Sequence, residues 1–205
     1  MPRLVLGTSN RKKGLELVDL LAPLGLQLQT LADFPQAISV VEDGDSFAAN
    51  AALKAQQQAV HLKAWVLGED SGLAVDALRG APGIYSARFS GEGATDASNN
   101  ALLMQKLADV PLERRTAHYV CSACLSDPSG TVRATSEDRC HGRIRFEPSG
   151  NGGFGYDPYF EILEYHRTFA DLGGAVKSAL SHRARSIRAL IPAIMRLIDT
   201  GAWRD

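Results

Sequence analysis

The chain has 205 residues, 45% of them hydrophobic and 22% charged, with a formal net charge of -1. It is long enough to bury a sizeable core and has the balance of a globular domain rather than of a disordered segment. The near-neutral charge excludes a general basic field for nucleic acid, no apolar run approaches the ~18 residues of a membrane span, and three cysteines are too few and too odd in number for a disulfide framework. With an N-terminus that meets charge too early for a secretory signal, these features predict a cytoplasmic protein with neither nucleic acid nor membrane as partner.

In chain order, Leu4–Gly7 reads as a first strand with no free edge, followed by the polar turn Thr8-Ser9-Asn10. Apolar residues at Leu17, Val18, Leu21 and Leu24 have helical spacing over Lys13–Leu24, and Leu26–Leu31 alternates as a strand. This β-α-β opening predicts an α/β fold. After the acidic turn Glu42–Asp45, Ser46 caps an Ala-rich helix from Phe47 to Leu62. Trp65–Gly68 is a buried strand ending in Glu69-Asp70-Ser71-Gly72. An ordered Gly/Pro-rich loop follows over Gly80–Gly93, then a helix over Asp96–Leu107. Thr116–Leu125 and Thr131–Phe146 form a long hairpin about the turn Asp127–Gly130. A second Gly-rich loop covers Ser149–Pro158, and Ser181–Ile198 is a terminal amphipathic helix in which Pro192 is a potential kink. With no linker or repeat, residues 1–205 read as one two-lobed domain.

Four stretches carry groups suited to chemistry. Thr8 to Lys13, between a strand and a helix, combines hydroxyls, lysines and helix N–H groups. It is either an anion site or a capped, solvated turn. Glu42, with Glu69 and Asp70 at a strand end, offers oxygen ligands for Mg²⁺ and a candidate proton acceptor; the alternative is an acidic turn beside a helix cap. Gly150 to Pro158 formally contains G-x-G-x-x-G, but Asp157-Pro158 stands where a dinucleotide-binding helix must begin. The loop instead either lets backbone approach a ligand, with Phe154 as a stacking face, or is a Gly-rich hairpin tip with a core aromatic. Lys177, His182 and Arg183 either gather donors near the N-terminus of the last helix or form a solvated basic turn, the commoner case for such a run. Cys121 and Cys124, three apart in a strand, point to opposite faces and read as buried structural thiols rather than a metal or redox pair.

Taken together and in order, these segments resemble the inosine/xanthosine triphosphate pyrophosphatase family, which removes non-standard purine nucleotides. Thr8-Ser9-Asn10-Arg11-Lys12-Lys13 is similar to the family's T-x-N-x-x-K loop, and Phe47 to Ala55 to its F-x-E-N-A-x-x-K-A helix. Glu69 to Leu78 with Gly80 to Phe89, Gly153 to Pro158, and Lys177 with Ser181-His182-Arg183 complete the match. The resemblance implies an elongated mixed β-sheet flanked by helices, two lobes with a substrate cleft between them, and a homodimer. It implies Mg²⁺-dependent attack on the α-phosphorus of ITP, dITP, XTP or dXTP. Asp70 would be proton acceptor and metal contact, and Glu42 a second metal contact. Thr8, Ser9, Asn10, Arg11, Lys12, Lys13 and Lys54 would face the phosphates, with Ser71 beside the substrate. Phe154 would stack on the base, Gly155, Tyr156 and Asp157 would shape its pocket, and Lys177, His182 and Arg183 would meet its edge. The chain departs from the pattern at Ala49, where the family helix carries Glu, and at Arg79, which replaces a common Gly. Two other readings compete: a pyrophosphatase for modified pyrimidine triphosphates, and a catalytically silent nucleotide sensor.

Overall fold

A computed structural model describes residues 1–204. The fold is α/β, with one mixed sheet of seven strands and flanking helices. The elements are β1 (Arg3–Leu6), α1 (Arg11–Leu21), β2 (Gln27–Thr30), α2 (Phe47–Leu62), β3 (Val66–Val75), α3 (Asp96–Lys106), β4 (Thr116–Ser126), β5 (Val132–Ile144), β6 (Phe160–Ile162), β7 (Arg167–Thr168), α4 (Phe169–Leu180) and α5 (His182–Asp199). The strand order is β2-β1-β3-β4-β5-β6-β7. β1 runs parallel to both β2 and β3, as short strands joined through helices must, while β5–β6 and β6–β7 are antiparallel.

The chain divides into two compact units. Unit 1 comprises Met1–Asp70, Cys121–Asp138 and Arg183–Asp205; unit 2 comprises Ser71–Val120 and Arg139–His182. In unit 1 the pleat sorts side chains by alternation. Leu4, Leu6, Trp65 and Leu67 pack with Leu17 and Leu21 of α1 and Ile187, Leu190 and Ile194 of α5. Val5 and Val66 pack instead with Ala59 of α2, and Cys124 with Ala51 and Ala55 of the same helix. The core of unit 2 joins Leu73 and Val75 of β3 to Leu103 and Leu107, Tyr119, Ile144, Phe160 and Phe169.

The first strand does lie between two others, Ser46 Oγ accepts from the Ala49 amide at 3.3 Å as the cap of α2, and the turn 127–130 joins β4 to β5. β3, however, does not end at Glu69: it continues through Asp70, Ser71 and Gly72 to Val75, so the two carboxylates lie in mid-strand. Residues 83–88 of the expected loop form a 3-10 turn that follows a cis Ala81–Pro82 bond. Pro192 is accommodated inside α5. Arg79 has a left-handed backbone (φ 53°), the conformation that glycine adopts at least cost and thus a physical reason for the residue the family prefers there.

β3 meets α2 through Gly68. A methyl group there would collide with the Ala51 carbonyl and lie 2.6 Å from the Ala55 amide, both helix backbone that cannot swing away. Gly68→Ala is therefore expected to cost about 1–3 kcal/mol of stability through overpacking. Urea unfolding checks this; an unchanged midpoint would show that helix and strand separate freely.

Candidate active site

In unit 1 the alternation of β3 throws Glu69 and Asp70 to opposite faces. Asp70 turns to α2. Its Oδ1 accepts from Lys54 Nζ at 3.0 Å and its Oδ2 from Asn50 Nδ2 at 3.3 Å; Asn50 and Lys54 stand four residues apart on one helical face. Lys54 Nζ also reaches Glu42 Oε2 at 2.8 Å and the Glu69 carbonyl at 3.2 Å. One ammonium thus gathers two of the three carboxylates that the sequence singled out, Glu42 and Asp70. Burial pushes the Asp70 carboxyl up, and neighbouring Glu69 adds to this. Lys54 and Lys13 pull it down but do not prevail. For Lys54, burial opposes the charge, yet Asp70 and Glu42 outweigh it and raise the ammonium, which stays protonated.

Glu69 is fully buried on the other face and belongs to a separate network. Its Oε1 accepts from Arg183 Nη2 at 2.9 Å and from Cys121 Sγ at 3.4 Å, and its Oε2 lies 3.3 Å from Lys13 Nζ. Arg183, itself buried, donates its other arm to Glu16. Two cations and two anions form a charge-balanced quartet. Burial and the Glu69 charge hold the Cys121 thiol well above its ordinary range, so it remains a donor. Burial alone lifts Cys124 to about 11.

At the start of α1, Asn10 is the N-cap, its Oδ1 accepting from the Lys12 and Lys13 amides at 3.0 and 3.2 Å, and Thr8 Oγ1 accepts from the Asn10 amide at 3.2 Å. Ser9, Arg11 and Lys12 are exposed beside them. Position 49 abuts the acidic turn: a methyl on Gly44 would stand 2.8 Å from the Ala49 methyl. Among the described residues no group of three or more His, Cys, Asp or Glu side chains gathers as a metal cage. Glu42 and Asp70 set two negative charges against the single charge of Lys54. That oxygen-only donor set with a residual negative charge fits a hard divalent cation sharing its shell with phosphates and water.

In unit 2 a second constellation surrounds Asp157. Its Oδ2 accepts from Lys177 Nζ at 2.6 Å and from the Phe154 amide at 2.9 Å, and Tyr119 OH donates to its Oδ1 at 3.3 Å. Lys177 Nζ lies 4.2 Å from the centre of the Phe154 ring. Gly155 is gripped by α3, its amide donating to Asp96 Oδ2 at 2.9 Å and its carbonyl accepting from Asn100 Nδ2 at 2.8 Å. Tyr156 is buried, its hydroxyl donating to the Ser86 carbonyl at 2.8 Å. Ser71 is half-buried on β3. Lys177, His182 and Arg183 do not share one helix terminus: Lys177 belongs to α4 and pairs with Asp157, His182 stacks on Tyr119 at 4.7 Å and 11°, and Arg183 joins the quartet of unit 1. Sequence reasoning missed Asn50, Tyr119, Asp96 and Asn100 as partners of these sites; only Asn50 carried a signal, its spacing from Lys54.

The Ham1 family profile matches residues 4–193. This chain belongs to the Ham1 family. It is similar to proteins named dITP/XTP pyrophosphatase from Rhodopirellula baltica, at 53% identity over 97% of this chain and 96% of that one, and from Desulforamulus reducens, at 45% over 95% and 96%. Among solved structures it resembles a HAM1 protein from Coxiella burnetii, with a TM-score of 0.87 and 31% identity over 96% of this chain and 100% of the other. It also resembles a nucleoside-triphosphatase / dITP/XTP pyrophosphatase from Mycobacterium abscessus, with a TM-score of 0.75 and 42% identity over 93% and 99%.

Replacing Glu69 by Gln takes a partner carboxylate from buried Arg183 and half-buried Lys13. Glu69→Gln is expected to destabilise this Ham1-family chain by about 3–5 kcal/mol, the cost of breaking a buried ion pair from one side. A variant that unfolds at the wild-type urea concentration would show that the quartet is solvated.

Proposed function

We propose that this Ham1-family chain hydrolyses non-standard purine nucleoside triphosphates, ITP, dITP, XTP and dXTP, to the monophosphate and pyrophosphate, with residues 1–205 acting as one domain. The observation that carries the reading is Asp70: a buried carboxylate in mid-strand, held at both oxygens and shifted upward, in a chain 53% identical to a dITP/XTP pyrophosphatase. A buried acceptor of this kind suits the general base that takes a proton as water attacks.

In this mechanism Asp70 accepts the proton of the water whose oxygen bonds the α-phosphorus, and the bond between that phosphorus and the bridging oxygen breaks, releasing pyrophosphate. Lys54 and the first turn of α1, from Thr8 to Lys13, hold the phosphates, and Ser71 lies beside them. Glu42 and Asp70 would hold a divalent cation, Mg²⁺ in our reading, which offsets phosphate charge and stabilises the charge that develops on the leaving group. Phe154 stacks on the base. Gly155, Tyr156 and Asp157 shape its surroundings, and Lys177 and His182 supply donors to its edge. Arg183 acts through Glu69, fixing the start of α5. Donors at the 6-position favour the oxo group of hypoxanthine and xanthine over the amino group of adenine. A mismatched buried polar group there costs roughly 1–3 kcal/mol. No helix among the described residues is long and apolar enough to cross a membrane, and we take the protein to be a cytoplasmic homodimer, testable by localisation and by sedimentation.

The deciding experiment is pyrophosphate release across ITP, dITP, XTP, GTP and ATP with Mg²⁺. Turnover is expected with the first three. Binding of ITP without release, from a chain with Ala49 in place of the family's Glu, would make it a nucleotide sensor instead. Asp70→Asn is expected to stay folded and lose about 10²–10⁴-fold in kcat; near wild-type kcat in a folded variant would remove Asp70 as the base. Phe154→Ala is expected to raise KM for dITP by roughly one to two decades, the worth of a base–aromatic stack, with kcat little altered. An unchanged KM there would contradict the stacking role.

A further inference from the structure

Two bridges run from the acidic turn to Asp70 through α2. Along the first, Glu42 and Asp70 share the ammonium of Lys54. Along the second, the Gly44 amide donates to Asn50 Oδ1 at 2.9 Å, and Asn50 Nδ2 donates to Asp70 Oδ2 at 3.3 Å. The orientation of this amide is dictated at both ends. A backbone N–H can only donate and an ionised carboxylate can only accept, so the oxygen must face Gly44 and the nitrogen Asp70. Asn50 is fully buried and is not the cap of α2, a role Ser46 fills, so its side chain is free of the capping duty asparagine ordinarily has near a helix start. The turn in turn is fitted to it: a methyl on Gly44 would lie 2.7 Å from Asn50 Oδ1 and 3.1 Å from the Asn50 amide.

We propose that Asn50 is a positioning residue for the reaction, whose side-chain amide fixes Asp70 relative to the turn that carries Glu42. It touches neither phosphate nor water in this role. It sets the rotamer of the base through Nδ2 and the height of the turn over α2 through Oδ1, so one amide group, beside the Lys54 bridge, governs the spacing of the two carboxylates. The inference rests on the reading of Asp70 as the base.

Three variants divide the bridge. Asn50→Ala removes both halves. Asn50→Asp keeps volume and the acceptor for the Gly44 amide but withdraws the donor from Asp70. Gly44→Ala leaves Asn50 and Asp70 chemically intact and pushes the amide aside. Each is compared with wild type by the kcat and KM split for dITP, by hydrogen exchange of the residue 44 amide, and by thermal unfolding. Asn50→Ala is expected to lower kcat about 10²-fold, the scale of a misplaced catalytic group, with KM near wild type and the residue 44 amide deprotected. Asn50→Asp is expected to lose kcat while that amide stays protected. Gly44→Ala should lose kcat and, combined with Asn50→Ala, add little further loss. Folded Asn50→Asp and Gly44→Ala proteins with wild-type kcat would overturn the proposal and leave Asn50 a packing residue. If wild type itself releases no pyrophosphate, the reading of Asp70 fails and takes this role with it; an active wild type with an indifferent Asn50→Asp sinks this inference alone.

Discussion

Two adjacent carboxylates buried in the middle of a strand do not take their hydrogen bonds from the same side chains, because the pleat sends them to opposite faces. Taking a carboxylate out of water costs several kcal/mol even after the protein relaxes. Each face of β3 must therefore bring its own donors. α1 and α5 deliver Lys13 and Arg183 to Glu69, while α2 delivers Asn50 and Lys54 to Asp70. The apolar alternation of β1 and β3 explains why these helices flank unit 1, but the charges fix where along the strand each one stops.

The two faces balance differently, and the difference carries chemical meaning. Around Glu69, two cations meet two anions and a protonated thiol fills the remaining space, an arrangement with no charge left over. Around Asp70, one ammonium serves two carboxylates and Glu42 stays about a third exposed. A site with residual negative charge and an accessible carboxylate attracts a cation from solution; one whose charges are matched in pairs has less to attract it. Glu69 is thus the structural member of the pair, although in the sequence it looks equivalent to Asp70.

Much of unit 1 was legible because its signals are local. Helical spacing marked α1, Ser46 marked the start of α2, and alternation marked β2. The extent of β3 was not legible, since Glu-Asp-Ser-Gly has the composition of a turn. Partners distant in sequence, Cys121 and Arg183 for Glu69 and Asn50 and Lys54 of α2 for Asp70, make those polar groups compatible with a buried strand. β6 and β7 have three and two residues, too short for periodicity to register, and Gly173, at φ 75° inside α4, breaks the pattern that would have announced a helix. Motif resemblance singled out Lys54 and Asp70, which the fold bonds to each other, and Phe154 and Asp157, which it also bonds. It grouped Lys177, His182 and Arg183, each of which the fold pairs with a different neighbour.

Those pairings bear on the selectivity we propose. A triphosphate presents the same charges whatever base it carries, so on that proposal the residues around Asp70 would not distinguish ITP from ATP. Discrimination would fall to the side chains proposed to meet the base, and in unit 2 these are already bonded to one another. Asp157 holds the Phe154 amide, Lys177 and Tyr119, and α3 holds Gly155 at both its amide and its carbonyl. Such prior bonding spares the cost of ordering a loop on binding and keeps donors from turning to suit the wrong base. It also bounds what the pocket achieves. On that proposal, rigid donors to a 6-oxo group would separate hypoxanthine and xanthine from adenine, but guanine carries the same oxo group. Any rejection of GTP would therefore have to come from the environment of the 2-position, where hypoxanthine has hydrogen, xanthine an oxygen and guanine an amino group.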